Sequence, residues 1–434
     1  MAKKSPTRLL LELVGILVIT CVAIFFGNKF SKQLPQSSST VTPIAVSNDN
    51  EEEGEIEVAV PRIAKDTAGE NSEKEYQGYQ AEKSWAGFNL YPESGTAKVH
   101  LVNMTGTSLH QWNFDAARAR MLPNCNLLVV HGSKWGLDRA PWRQLRHNVR
   151  EYDWEGNVVW EYITPGPAHH DVHRLDNGNT LLMYRRELTE EEKTSITDPD
   201  KKGSEIRTDI ILEVTPAGEI VWEWAAHEHL DLNSCGSKPC RKLPKVVTSG
   251  KKVFDWTHSN TIAPIPENKW YDQGDKRFKP GNIVFMPRNM WQAMIIDKES
   301  KEIIWKYSGD YKGGLSGGHE PHMIPKGYPG AGNVLIFDNG RSRGFSVVLE
   351  INPTTNEVVW VYDVGGDLYS QAAGSMQRLP NGNTLISEDV GGRVFEVTPD
   401  KEIVWQYTGN EFRSCRAQRY PQNACNKLAD YPLN

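Results

Sequence analysis

A unit that recurs six times constrains this chain more than any other feature. The segments LVNMTGTSLHQWNF (101–114), EYDWEGNVVWEY (151–162), EVTPAGEIVWEW (213–224), IIDKESKEIIWKY (295–307), EINPTTNEVVWVY (350–362) and EVTPDKEIVWQY (396–407) follow one plan. A short alternating strand meets a polar turn, and a second strand carries an aligned tryptophan at Trp112, Trp160, Trp222, Trp305, Trp360 or Trp405. A second hairpin lies between copies: RMLPNCNLLVV (120–130), HRLDNGNTLLM (173–183), the interrupted pair within 263–286, MIPKGYPGAGNVLIF (323–337) and QRLPNGNTLIS (377–387). Proline, asparagine and glycine between apolar runs mark tight turns between paired strands. Two hairpins per unit give about four strands, the pattern of a propeller blade. The expected fold is therefore all-β, a six-bladed β-propeller. Only five connecting hairpins accompany six tryptophan motifs, so one blade must be completed from both chain ends, by residues 406–434 or by the strand near 86–100. The tryptophans are assigned to the blade core and the Asn-Gly pairs to turns.

The first 84 residues do not share this plan. LLLELVGILVITCVAIFF (9–26) follows Lys3, Lys4 and Arg8. It is long enough to approach the roughly 30 Å of a bilayer core. It exceeds a signal peptide's usual apolar region, and no small-residue cleavage site follows it. The expectation is a signal-anchor transmembrane helix within residues 1–28. The basic residues before it place the N-terminus in the cytoplasm and the bulk in the periplasm or another extracellular or lumenal space. Residues 29–84 are polar and acidic, with QSSST and NDNEEEGE, and read as a flexible linker unable to bury a core. The propeller is assigned to 85–434. A net charge of −6 without a basic block removes nucleic acid from the expected partners and leaves the membrane, through the helix, as one of them. Homo-oligomerisation stays open. In an oxidising compartment, Cys235 with Cys240 and Cys415 with Cys425 read as short-range disulfides, which leaves Cys125 as a buried thiol.

The blades can be aligned with one another on the residue before each turn, Leu175, Ile265, Ile324 and Leu379. Five positions upstream stand His170, Asn260, His319 and Gly374, and His258 stands seven upstream in its own blade. These offsets share parity, so the residues share a strand face and converge on one end of the channel if this strand is innermost. In the following strand Arg185, Arg288, Asn339 and Asp389 fall at one level. Three imidazoles, an amide and a guanidinium at one channel mouth suit a tetrahedral oxyanion, and imidazole is both a nucleophile and a proton carrier. His169, His173, His227, His229 and His322 are given structural roles. A zinc or copper site is disfavoured by the nearby arginine and by the lack of an obvious carboxylate or thiolate ligand.

Several stretches resemble the bacterial arylsulfotransferase (aryl-sulfate sulfotransferase) family from about residue 90 to the C-terminus. They are HHD (169–171), DWTHSN (255–260), VFMPRN (284–289), GHEPH (318–322) followed by IFDNG (336–340), and LPNGNTLI (379–386). The resemblance implies PAPS-independent transfer of a sulfuryl group from an aryl sulfate ester to a phenol, by a ping-pong route through a sulfohistidine, with no cofactor. It implies His319 as nucleophile, His258 as proton carrier, and Arg288, Asn260 and His170 as sulfate-binding residues. The chain departs from the family in its anchor and acidic stalk and in Glu320-Pro321-His322 beside the nucleophile position. Two other readings stand beside it: a membrane-tethered propeller that binds without catalysis, and a quinoprotein-like dehydrogenase, whose calcium site the histidines fit poorly.

Overall fold

Strand pairing turns the repeat into six sheets. The computed structural model describes residues 76–132, 139–240, 245–248, 251–408 and 416–434, and all structural statements concern these. Blade 2 runs Arg118–Met121, Leu127–Val130, Asn148–Tyr152 and Val158–Ile163; blade 4 runs Ser259–Pro264, Ile283–Pro287, Ala293–Ile296 and Ile303–Tyr307. Blade 5 runs His319–Met323, Val334–Asp338, Val347–Asn352 and Glu357–Tyr362. Each is an antiparallel meander whose first strand is innermost, and the first strands of successive blades lie against one another. Blade 3 (168–225) also carries a hairpin, Lys245–Thr248 with Lys251–Asp255, the latter pairing in parallel with Glu205–Val214.

Ring closure draws on both ends of the chain. Blade 1 takes three strands from Phe88–Glu93, Lys98–Val102 and Ser108–Trp112, and its innermost strand, Gln418–Tyr420, from the C-terminus. Blade 6 (375–408) gains a fifth, outermost strand from Tyr76–Tyr79. Residues 80–85 continue along that edge: Ser84 Oγ donates to the Val404 carbonyl at 3.0 Å, and the Trp85 N–H donates to Glu396 Oε1 at 2.8 Å. The end of the stretch that composition assigns to the linker is thus part of the ring. Residues 1–28, where the membrane helix is expected, lie outside the described residues, as does most of 29–84. No helix among the described residues is long and apolar enough to cross a membrane.

The six tryptophans bind blades to one another as well as filling them. Each indole N–H donates to a carbonyl in the outer turn of the next blade: Trp112 to Trp154, Trp160 to Pro216, Trp222 to Lys298, Trp305 to Pro353 and Trp360 to Pro399, at 2.8–2.9 Å. Trp405 of blade 6 closes the circle on Met104 of blade 1 at 2.7 Å. Indole suits this task because its ring fills apolar space and its one donor needs a partner when buried. Trp112, Trp305 and Trp405 are buried, whereas Trp160, Trp222 and Trp360 are half-buried between blade edges.

The cysteines correct one expectation and bear out another. Cys235 and Cys240 are bonded, as their spacing predicts. Cys425 pairs with Cys125, across 300 residues of sequence, and not with Cys415, which lies outside the described residues. Ring closure is the reason: it sets the tail after Gln418–Tyr420 against the first turn of blade 2, where Cys125 sits. Cys125 is therefore a disulfide partner and not a free thiol. Such a bond holds the closing segment in place and removes loop entropy from the unfolded chain. Cys125→Ser is expected to cost roughly 2–4 kcal/mol in urea unfolding, against a fully oxidised parent. An unchanged midpoint would show that strand pairing alone keeps the ring shut.

Candidate active site

Irregular backbone at the head of the innermost strands builds the site. Pairing in blade 3 slips between Leu182 and Tyr184, opposite His170, whose φ is 62°. In blade 5 it slips between His319 and His322, around Glu320 with φ 53°. His258, with φ 44°, stands just before the first strand of blade 4. Bulges of this kind re-aim side chains at the rims of β structures. In blade 6 the aligned position is Gly374, with φ 111°, where an added Cβ would stand 2.6 Å from the Phe337 ring. That blade contributes no side chain at the aligned position.

His319 is buried, and its surroundings fix which nitrogen is free. Nδ1 lies 2.5 Å from Asn339 Oδ1 and 3.0 Å from the Gly317 carbonyl. The Asn339 amide cannot turn, because its nitrogen donates to the carbonyls of Ser370 at 2.7 Å and Ala373 at 2.6 Å. Two acceptors therefore face Nδ1, which carries the proton, and Nε2 carries the lone pair. Burial, followed by the charges of Arg416 and Arg288, holds the imidazole well below its ordinary pKa, so it is neutral at pH 7.

The ring of His170 lies 5.1 Å, centroid to centroid, from that of His258. His169 turns away, with Nε2 3.1 Å from Asp209 Oδ1, and its Nδ1 is 2.7 Å from His170 Nδ1. His170 is thus the member of the HHD pair that faces His258. Burial and then the neighbouring His169 and His258 push its pKa well down. His258 Nδ1 bonds a carboxylate oxygen of Asp255, three residues earlier, and His258 holds that carboxyl below the usual carboxylate range against the effect of burial. The Asp255 carbonyl accepts from Asn289 Nδ2 at 2.7 Å, which joins the His258 segment to the turn bearing Arg288. Arg288 is 2 % exposed.

Asn260 is fully buried, and its amide faces the neighbouring strand. Nδ2 donates to the Gly318 carbonyl at 2.9 Å, and Oδ1 accepts from Thr261 Oγ1 at 3.0 Å. These bonds fasten blade 4 to the residue preceding His319. His322 bonds the Glu320 carbonyl through Nδ1 at 2.9 Å, and His173 meets Arg120 and Asp171, so both belong to the polar packing below the site.

Four neighbours of the expected set were not assigned from sequence. Asn339 falls at the Arg288 level in the blade alignment, but nothing there says that it holds His319. Asp255 carries a usable signal, an acid three residues before a histidine. Glu320 stands out only as an unusual residue, and Arg416 gives no signal, because the tail's return to the centre decides its place.

The buried imidazoles set a sign for acid stability. His169, His170, His173, His319 and His322 all have lowered pKa values, burial being the largest cause in each. Below about pH 6.5 the unfolded chain binds protons that the folded one refuses, so stability is full above that pH and falls as pH drops. Asp389, raised by burial to about 6, works in the opposite sense between its unfolded pKa and 6, as a single group. Urea unfolding at pH 5 is expected to give a stability lower than at pH 7.5 by more than about 1.4 kcal/mol, a tenfold change. Equal stability at the two pH values would contradict neutral histidines in this channel.

The hub of this six-bladed β-propeller thus gathers the imidazoles of His170, His258 and His319 and the buried guanidinium of Arg288. The family model of the arylsulfotransferases, "Arylsulfotransferase (ASST)", matches residues 147–410, more than half of the chain, and the chain belongs to that family. The matched region contains His170, His258, Asn260, Arg288 and His319. Among curated proteins none matches the sequence. Among solved structures the chain is similar to a protein of unknown function from Bacteroides caccae, at 13% identity and a TM-score of 0.47, covering 77% of this chain and 99% of that one. It is also similar to a streptogramin B lyase at 10% identity and a TM-score of 0.42, covering 80% and 98%. Both are too distant to bear on the chemistry.

Proposed function

We propose that the chain is a PAPS-independent sulfotransferase that moves a sulfuryl group from an aryl sulfate ester to a phenol through a sulfohistidine at His319. The observation that carries this reading is the fixed tautomer of His319: Asn339 and the Gly317 carbonyl hold the proton on Nδ1, which leaves Nε2 as a neutral nucleophile among buried cations. Arg288 and His170 hold the sulfate oxygens, and Asn260 keeps the strand that presents His319 in register. Nε2 attacks sulfur, the S–O bond to the aryl group breaks, and the departing phenolate takes a proton from His258 Nε2. Asp255 at Nδ1 orients the imidazole for this transfer. The new imidazolium at His319 is stabilised by the Asn339 carbonyl. In the second half an acceptor phenol returns its proton to His258, its oxygen bonds to sulfur, and the N–S bond breaks. Covalent catalysis divides one hard displacement into two, and stabilising charge on the transferred oxygens is the main task, as in phosphoryl transfer. These steps use side chains of the chain alone, with neither nucleotide nor metal.

The setting belongs to the proposal as well. A signal-anchor helix in residues 1–28 and a linker from 29 would tether the propeller at a membrane, outside the cytoplasm. Two disulfides fit such an oxidising compartment. The test is steady-state kinetics with 4-nitrophenyl sulfate as donor and phenol as acceptor, without nucleotide. Parallel double-reciprocal lines are expected. Intersecting lines would point to direct transfer, and no turnover with several aryl sulfates would remove the sulfotransferase reading.

A further inference from the structure

Backbone strain gathers around the site in a way the proposed mechanism does not use up. Five residues with side chains adopt a left-handed backbone at the heads of the innermost strands of five blades: His170, His258, Glu320, Ala373 and Arg416, with φ of 62°, 44°, 53°, 57° and 55°. Side chains seldom hold that conformation, and it persists where surroundings over-determine a position, often at functional sites. His170 and His258 belong to the proposed site, and Glu320 follows the proposed nucleophile. Arg416 is the long cation of the set, delivered by the C-terminal segment that closes the ring, and it is 2 % exposed.

Three anchors hold Arg416. Its backbone N–H lies 3.1 and 3.2 Å from the two carboxylate oxygens of Asp389. Nη1 donates to Glu320 Oε2 at 2.9 Å, and Nη2 donates to the Asn260 carbonyl at 2.7 Å. Both side-chain acceptors adjoin His319, since Glu320 follows it in sequence and the Asn260 amide bonds the Gly318 carbonyl.

Among the described residues the one carboxylate that this guanidinium bonds, Glu320, is shared with its neighbours. Glu320 is bonded by both terminal nitrogens of Arg118 and stands 3.6 Å from Arg120 as well as 2.9 Å from Arg416. Asp171 lies 2.8 Å from Arg120 and 3.6 Å from Arg118. Three guanidiniums thus draw on Glu320 and Asp171, the second of which serves the other two arginines, while the Asp389 carboxylate meets Arg416 at its backbone N–H. Arg416 is among the charges that hold the His319 and His170 imidazoles below their ordinary pKa, after burial. A buried cation that shares its counter-charge with other cations can take an anionic ligand.

We propose that Arg416 is a second guanidinium of the anion site, held in place by Glu320 and Asp389, and that with Arg288 it binds the oxyanion presented to His319. Its role toward a sulfate ester rests on the sulfotransferase reading; its role in binding a tetrahedral anion does not. The C-terminal strand then completes the site as well as the ring.

The test is calorimetric binding of inorganic sulfate to the full chain, with thermal unfolding recorded for every variant. The parent is expected to bind sulfate. Arg416→Gln is expected to weaken binding about tenfold, the scale of one charged hydrogen-bonding group. Arg416→Lys, which keeps the charge and is expected to unfold near the parent's midpoint, should weaken it about threefold by losing the planar fork. If the glutamine variant does not fold, the lysine variant decides. Sulfate affinity within experimental error of the parent in a folded Arg416 variant would overturn the inference, as would a parent that binds no sulfate. A parent that binds sulfate through Arg416 yet turns over no aryl sulfate would support this inference while sinking the sulfotransferase reading.

Discussion

Replacing His319 with alanine is expected to lower turnover of 4-nitrophenyl sulfate by about 10⁴-fold or more, the scale seen when a covalent nucleophile is removed. The loss should fall on kcat and kcat/KM together, because His170, Arg288 and the surrounding strands still hold the donor. His319 sits in a fully formed bonding environment through Asn339, so the variant leaves a small buried gap and not a broken ring. His322→Ala is the matched control. That imidazole bonds the Glu320 carbonyl, below the site, and its removal should leave activity close to the parent's. Equal losses at the two positions would mean that the deficit reports packing and not nucleophilic attack.

His258→Gln is expected to show the second large effect, and its signature is dependence on the leaving group. A proton donor matters most when the departing oxygen is basic. Phenyl sulfate should lose about 10²–10⁴-fold, whereas 4-nitrophenyl sulfate, whose phenolate departs readily, should lose far less. The structural basis is the Asp255 carboxylate at His258 Nδ1, which orients the ring. A loss independent of the leaving group would move His258 from proton transfer to oxyanion binding.

The six-fold repeat made most of the ring legible, because strand alternation, turn residues and an aligned tryptophan each report on local structure. Self-alignment also named His170, His258, Asn260 and His319, which stand at the heads of the innermost strands, although bulges there break the alternation and Asn260 turns its amide to the Gly318 carbonyl. What it could not reach are the contacts set by closure. Cys125 with Cys425 and Arg416 with Glu320 join residues far apart in sequence, and no local pattern encodes the path of the tail. The choice between His169 and His170 turned on a bulge, a break in the very alternation used to assign faces. The Asn339 amide was aligned with Arg288 by level, but its orientation depends on carbonyls of Ser370 and Ala373 in a loop without a repeat signature.

The central claim is a covalent intermediate on one named nitrogen. The protein would be mixed with 4-nitrophenyl sulfate in the absence of a phenolic acceptor, quenched, digested under conditions that spare N-sulfonates, and its peptides examined by fragment mass spectrometry. One added SO₃ on His319, formed together with one equivalent of 4-nitrophenol and discharged when phenol is added, is the predicted result. A full burst of 4-nitrophenol with the label on another residue, or steady turnover with no label at all, would contradict it.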